Sequence, residues 1–360
     1  MKRTGLLFLI LFSVFILAGE LSVTFLNVNQ GDGIVIRAPD GKVFLIDAGQ
    51  PEYYDKEKNI YYSRFDAGRD IVAPYLKSQG ITEIEGILGT HPDADHIGGL
   101  VYILKNFPVK KAYYTGKLHT SNIFNEFLEL IDKNGVEYIE VRAGDILDWS
   151  PDILVNAVGP TEDEVRNSSN NNNTSIVLYL KYGNVSFMLT GDAETEMEER
   201  IVDEYGNAVG SQVLKLGHHG SKSSSCYEFL SAVSPEYVIF SCGKNNKFGF
   251  PHAEMIKRLC DAVPDVKIVR TDYNGNITFV TDGTGITVTP EKGGLYTMEE
   301  LLKMENISYV PSRKPLPKPE VKKETEKTTP APAPLPQERS DRININTASQ
   351  SELETLPRIG

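Results

Sequence analysis

The chain has 360 residues, 40% of them hydrophobic, and carries a formal net charge of −12 at pH 7. That length holds one large domain or two modest ones around a real core, which excludes a chain disordered throughout. The acid excess excludes capture of nucleic acid by an overall basic surface, so any phosphate recognition must be local. Three cysteines, Cys226, Cys242 and Cys260, leave an odd one and lack Cys-x-x-Cys spacing. They read as small buried hydrophobes, not as a disulfide framework or a structural zinc site.

In chain order, Lys2-Arg3, an apolar stretch from Gly5 to Ala18 broken by Ser13, and Gly19-Glu20 form a signal-peptide pattern over 1–19. The apolar run is short for a transmembrane helix, with an uncleaved anchor as the alternative. Both place the folded part outside the cytoplasm, secreted or membrane-anchored, with signal peptidase as a partner in the first case. Next, Leu21–Val28, Gly33–Arg37 and Val43–Ile46 read as an antiparallel meander whose turns are Gln30–Gly33 and Pro39–Lys42. A helix is predicted over Gly68–Gln79, and a buried strand over Gly86–Thr90. That strand runs into the polar loop His91–His96, after which a helix resumes over Ile97–Leu104.

Further helices are predicted over Ile123–Lys133, Glu194–Glu204, Cys226–Val233 and His252–Ala262. Strands are predicted near Glu137–Val141, Ile153–Val158, Ser175–Lys181, Val185–Thr190, Gln212–Leu216 and Tyr237–Cys242. This order suits two packed sheets with helices outside, an α+β architecture. A folded domain is therefore expected over 20–295, and a Pro/Lys/Glu-rich linker over 296–341, its bias strongest after Pro311. The segment 342–360 regains a helical pattern, capped by Asn346-Thr347 and stopped at Pro357.

The chemistry concentrates at strand ends. His91, Asp93, Asp95 and His96 put two imidazoles and two carboxylates into six positions, a density suited to a pair of neighbouring divalent cations. The bland alternative is a polar turn whose Asp residues cap the next helix. Downstream, Thr190-Gly191-Asp192 delivers a carboxylate just past an apolar strand, and Leu216–Ser221 delivers His218 and His219 past another. Either fragment alone is weak; three strand ends in this order are much stronger.

Taken together, Asn29–Asp32, Leu45–Gly49, Thr90–Gly99, Leu189–Glu194 and Gly217–Ser221 resemble the metallo-β-lactamase superfamily, in its ComEC hydrolase branch, over roughly Leu21 to Thr289. The resemblance implies an αββα sandwich with two divalent metal ions, Zn or Mn, at one rim. It implies His91 and Asp93 on one metal, Asp95 and His96 on the other, Asp192 bridging, and one of His218 and His219 completing the second. His218, nearer the strand, is the preferred ligand, which leaves His219 at the substrate beside Asp95 and Asp192 as the catalytic set. Asp93 stands where the superfamily commonly has His, and an oxygen-rich site favours Mn²⁺ over strict Zn²⁺.

Asp47 is expected to orient a metal-binding His from behind, and Asp32 lies in an early turn facing the same rim. His119 is not at a strand end and reads as a surface or capping residue. The Asn-rich turn Asn171–Thr174 fits the branch pattern, with Asn173 as a substrate contact or, alternatively, part of a flexible loop. Phe250 occupies the place of a branch His before Pro251, while His252 opens a helix whose N-terminus could face a phosphate. Lys222 is a further candidate for a phosphate oxygen. The tail resembles part of a ComEA-type helix-hairpin-helix, with Arg358 where Gly is usual.

The expected activity is metal-dependent hydrolysis of a phosphodiester such as DNA, with water activated between the two cations, in transient contact with DNA-uptake machinery. The alternatives are another small substrate, such as a lactam, lactone or cyclic nucleotide, and a noncatalytic DNA-uptake accessory.

Overall fold

The computed structural model describes residues 19–55 and 60–311. By contacts the chain divides into Met1–Lys318 and Pro319–Gly360, and the described residues all fall in the first unit. The expected signal peptide, the linker beyond 311 and the helix-hairpin-helix segment lie outside the described residues.

The meander comprises β1 (Leu21–Phe25), β2 (Gly33–Arg37) and β3 (Val43–Ala48). A short hairpin, β4 (Tyr53–Asp55) and β5 (Ile60–Ser63), precedes a π-helical turn, Gly68–Val72, that runs into α1 (Ala73–Ser78). Then come β6 (Ile84–Leu88), α2 (Ala94–Asn106), β7 (Val109–Tyr114), α3 (Asn122–Lys133) and β8 (Glu137–Glu140). The next stretch holds β9 (Leu154–Gly159), α4 (Glu162–Asn167), β10 (Val177–Tyr182), β11 (Val185–Leu189) and α5 (Thr195–Tyr205). It continues with β12 (Val213–Lys215), α6 (Tyr227–Val233), β13 (Tyr237–Phe240) and α7 (Ala253–Ala262). The last elements are β14 (Lys267–Arg270), α8 (Thr271–Asn274), β15 (Ile277–Thr281), β16 (Ile286–Pro290) and α9 (Met298–Met304).

Two sheets form. One has the order β16-β15-β1-β2-β3-β6-β7-β8, the other β14-β13-β12-β11-β10-β9. Strand alternation explains why they stack. Val23, Phe25, Ile34, Ile36, Phe44 and Ile46 of the first sheet meet Leu178, Leu180, Phe187, Leu189 and Ile239 of the second in one buried cluster. The opposite faces take helices. Val35 and Leu45 pack with Leu100, Leu104 and Phe127 of α2 and α3, and Met188, Leu214 and Val238 pack with Met197, Phe229 and Leu259 of α5, α6 and α7. The architecture is the αββα sandwich.

Two glycines set distances that matter for the rim. A Cβ on Gly99 would lie 2.0 Å from the Ala48 carbonyl oxygen, so only glycine lets α2 approach the end of β3. Gly31, at φ +123°, would place a Cβ 2.1 Å from the Asp95 carbonyl oxygen, which locks the first turn against the start of α2.

The expected boundary at 295 falls inside packed structure. Tyr296 bridges to Ile268, and α9, opened by a Thr297–Glu300 capping box, buries Leu301 in the core. The folded unit thus continues past 295, and the first part of the expected linker is helix. All three cysteines are free and buried. Among the described residues, no helix is long and apolar enough to cross a membrane.

Candidate metal centre

The rim is built from strand ends and the first turn of α2. Asp47 lies at the end of β3, His91 follows β6, Asp95 and His96 open α2, Asp192 follows β11, and His218 and His219 follow β12. Asp93 occupies the N-cap position of α2 without a side-chain capping bond, so the loop's carboxylates are not consumed in capping. The turn reading of this loop therefore fails.

Three imidazoles are buried, and each has its Nδ1 committed. His96 Nδ1 lies 2.7 Å from Asp47 Oδ2, and His219 Nδ1 lies 2.8 Å from the Ser241 carbonyl oxygen. Both partners accept only, so Nδ1 carries a proton and Nε2 is the ring nitrogen turned to the centre. His91 Nδ1 lies 3.1 Å from Thr90 Oγ1, whose own proton goes to Asp47 Oδ2 at 2.7 Å. The same logic turns Nε2 of His91 to the centre. All three Nε2 atoms are buried without a hydrogen bond. Orphaned nitrogens at this density fit a cation, because burial without a partner is otherwise costly.

Asp192 is the hub. Its Oδ2 stands 3.2 Å from Nε2 of His96, 3.2 Å from Nε2 of His219 and 3.8 Å from Nε2 of His218. Ligand-capable atoms cluster as His91, His96 and Asp192, as Asp95, His96 and His219, and as Asp32, Asp192 and His219. Asp93 Oδ2 lies 3.7 Å from His91 Nε2, with its Oδ1 held by Asn171.

The electrostatics is that of a cation trap. Burial opposes charge on His96, but the carboxylates of Asp192 and Asp47 raise its pKa well above the ordinary value. His219 behaves alike, burial being overcome by Asp192, Asp32 and Asp95. Burial likewise opposes ionisation of Asp192, yet His219 and His96 hold its pKa well below the usual range. For Asp32 burial is overcome by Lys215, with His219 and His96 adding to it.

The structure reorders several expected roles. His219, not His218, joins Asp95, His96 and Asp192, whereas His218 is half-buried and holds Glu194 Oε1 at 2.9 Å through Nδ1. Partial burial opposes ionisation of Glu194, but hydrogen bonds from His218, Asn172, Ser223 and Asn170 hold its pKa at about 2. Asn173 turns away from the rim, accepting from Glu194 N and donating to Glu196, while Asn171 and Asn172 reach Asp93 and His218. His252 is engaged with two neighbouring loops. Its Nδ1 accepts from Lys222 N and its Nε2 meets the Phe248 carbonyl, so it staples two loops, with Lys222 exposed beside it. His119 accepts from Ser121 N, the N-cap of α3, as a capping residue does. Asp47 and Asp32 lie behind the imidazoles, Asp32 at 3.5 Å from His219 Nδ1.

Sequence reasoning missed Lys215. This fully buried residue lies 2.6 Å from Asp32 Oδ2 and donates to the Gly191 carbonyl at 2.7 Å, fixing the turn that carries Asp192. A lysine inside the apolar run Val213–Leu216 was the available signal. Ser175 was also missed; its hydroxyl accepts from Asp192 N at 3.1 Å.

The two-sheet fold and this buried His/Asp centre define the class: the chain belongs to the metallo-beta-lactamase superfamily, whose family profile matches residues 26–244. It is 31% identical over 284 residues to ComE operon protein 3 of Bacillus subtilis, covering 78% of this chain and 36% of that protein. It is 28% identical over 265 residues to competence protein ComA of Neisseria gonorrhoeae, covering 72% of this chain and 32% of that protein. The chain thus spans about a third of the length of these relatives. Among solved structures, the metallo-beta-lactamase fold protein YhfI of Bacillus subtilis aligns with a TM-score of 0.43 and 12% identity, over 72% of this chain and 99% of that one.

Proposed function

We propose that this chain is a metal-dependent phosphodiesterase that cleaves DNA. The observation that carries the metal is the set of three buried Nε2 atoms, of His91, His96 and His219, that lie near Asp192 without a hydrogen-bond partner. The competence proteins among its relatives support the choice of DNA as substrate. In this reading His91, Asp93, Asp95, His96, Asp192 and His219 would hold a pair of divalent cations. When bound, such a pair supplies a water of lowered pKa and neutralises phosphate charge, with Zn²⁺ or Mn²⁺ as the candidates.

The chain's own residues do the rest. Asp47 and the Ser241 carbonyl hold the tautomers of His96 and His219, and Lys215 holds the Asp192 turn. His218 faces the open side with Nδ1 tied to the Glu194 carboxylate, a pairing that orients the ring so that Nε2 can serve a leaving alkoxide as proton donor. Glu194 plays the orienting part.

The test is metal analysis of the purified protein, followed by assays on bis(p-nitrophenyl) phosphate, single-stranded DNA and plasmid DNA. Cleavage that Asp192→Asn abolishes is expected. A protein that carries its metals and cleaves no diester rejects the reading; activity on a lactam, lactone or cyclic nucleotide instead would reassign the substrate. We also propose that the protein works outside the cytoplasm beside DNA-uptake machinery. Fractionation with N-terminal sequencing of the native protein tests its export.

A further inference from the structure

An open cleft of about 410 Å³ adjoins the metal centre on its Asp95 side. Its wall includes Gln30, Tyr53, Lys244, Lys247 and Phe248. In a protein of net charge −12, two exposed lysines here form a local positive patch next to a carboxylate-rich centre. Phe248 is 47% exposed, and Tyr53 55%. Both rings line the same cleft as the two lysines, so aromatic surface and positive charge share one wall.

The loop that carries them is built, not loose. Asn246 accepts from the backbone N–H groups of Phe248 and Phe250 and donates to the carbonyls of Gly243 and Phe250. Phe248 stacks on Phe250 at 5.4 Å and 16°, and Phe250 meets the His218 ring edge-on at 5.3 Å. The aromatic stack therefore leads from the open surface to the His pair. Lys247 Nζ stands 4.9 Å from the Phe248 ring centre, so charge and stacking surface are neighbours.

Gln30 supplies an independent sign of a ligand. It is 8% exposed, and its Oε1 accepts from Gly243 N at 3.2 Å, which fixes the orientation of its amide. Its buried Nε2 has no hydrogen-bond partner. A buried donor left unpaired at the wall of a cleft is costly unless an acceptor enters.

We propose that this cleft is a subsite for a nucleotide neighbouring the scissile bond of single-stranded nucleic acid. The base stacks on Phe248, Lys244 and Lys247 meet phosphates, and Gln30 Nε2 donates to an oxygen of the strand. A single strand is specified because a duplex keeps its base faces covered, leaving Phe248 nothing to stack on. The proposal rests on the phosphodiesterase reading for its place beside the centre, and it names that site's substrate contacts.

The experiment measures binding of a fluorescein-labelled, phosphorothioate-linked dT12 to Mn²⁺-loaded protein by anisotropy, across a salt series. Phe248→Ala is expected to weaken binding about tenfold. Lys244→Ala/Lys247→Ala is expected to reduce the slope of log K against log salt by about 1.4. Gln30→Glu keeps the acceptor for Gly243 but replaces the free donor with an oxygen, and is expected to weaken binding at least about fivefold. Phe248, Lys244 and Lys247 are exposed, so thermal melts matching wild type will confirm folding. Wild-type protein that does not bind dT12, or variants that bind with unchanged affinity and slope, overturns the subsite. Hydrolysis of bis(p-nitrophenyl) phosphate by wild type, run in parallel, reads the parent function separately: its failure sinks phosphodiesterase activity while the binding data still judge the cleft.

Discussion

Lys215 Nζ lies 2.6 Å from Asp32 Oδ2, and both side chains are sealed from water beneath the metal centre. A buried pair adds little net stability, but losing one partner strands the other charge. Lys215→Met should therefore cost about 3–5 kcal/mol in denaturant unfolding of the metal-free protein. Adding Asp32→Asn should restore part of that loss, since the stranded carboxylate is then gone. A Lys215→Met protein as stable as wild type would show that Asp32 ionisation is balanced elsewhere.

The paired histidines should separate by assay. With Nε2 buried beside Asp95, His96 and Asp192, His219→Ala is expected to lower divalent-metal affinity by more than about 100-fold in calorimetry. His218→Ala should retain the metal content and lose about 10²–10⁴-fold in kcat on a diester. The reverse pattern would return the ligand role to His218.

Asp47 meets the centre through His96, accepting from its Nδ1, and it also accepts from Thr90 Oγ1 and Thr90 N. Asp47→Asn presents an amide that can face His96 with a donor, which disfavours the tautomer with a free Nε2. Metal affinity should fall about 10–100-fold. Equal titration curves for the variant and wild type would argue that Asp47 serves only the fold.

The pH dependence has a definite sign. His96 and His219 have folded pKa values raised above the ordinary 6.5, so the stability they contribute to metal-free protein is complete below 6.5. It is lost as pH rises through their raised values. Protons and cations compete for the same Nε2 atoms, so metal affinity must rise over that same range, with proton release visible as a buffer-dependent binding enthalpy. A binding enthalpy that is independent of buffer would contradict this competition.

Glu198 adds a second window. Burial opposes its ionisation and lifts its pKa to about 7, despite hydrogen bonds from Ser225 N and Cys226 N. A carboxyl raised in the native state favours folding while protonated, and this advantage fades from pH 4.5 to about 7. The shift corresponds to a loss on the order of 3 kcal/mol. Glu198→Gln should flatten that slope in urea titrations at successive pH values, whatever its effect on absolute stability.

Most of the site was legible because most rim residues follow an apolar strand, and strand periodicity survives in one sequence. The order of His218 and His219 was not. Proximity to the strand suggested that His218 points inward, but both residues adopt left-handed backbone, φ 44° and 56°, and the chain turns so that His219 enters. Asn173 failed similarly: inside a short 3-10 turn, a shift of one residue exchanges a helix-capping direction for a rim direction. The strands β7, β14, β15 and β16 were not predicted. β16 is only partly buried, and its pairing with β15 is a tertiary contact. The helix α9 was hidden by its shortness, seven residues of which Met298 and Leu301 alone are buried.

The rim draws His91 and His96 from one sheet and Asp192 and His219 from the other. A cation seated there would add a further tie between two halves of the molecule already joined at this edge by the Lys215–Asp32 ion pair and the Ser241 hydroxyl on the Gly31 carbonyl. Its binding energy is then also cohesion between the layers. Chelation should loosen the protein at this seam first, letting amides at the strand ends exchange with solvent before those of the central meander.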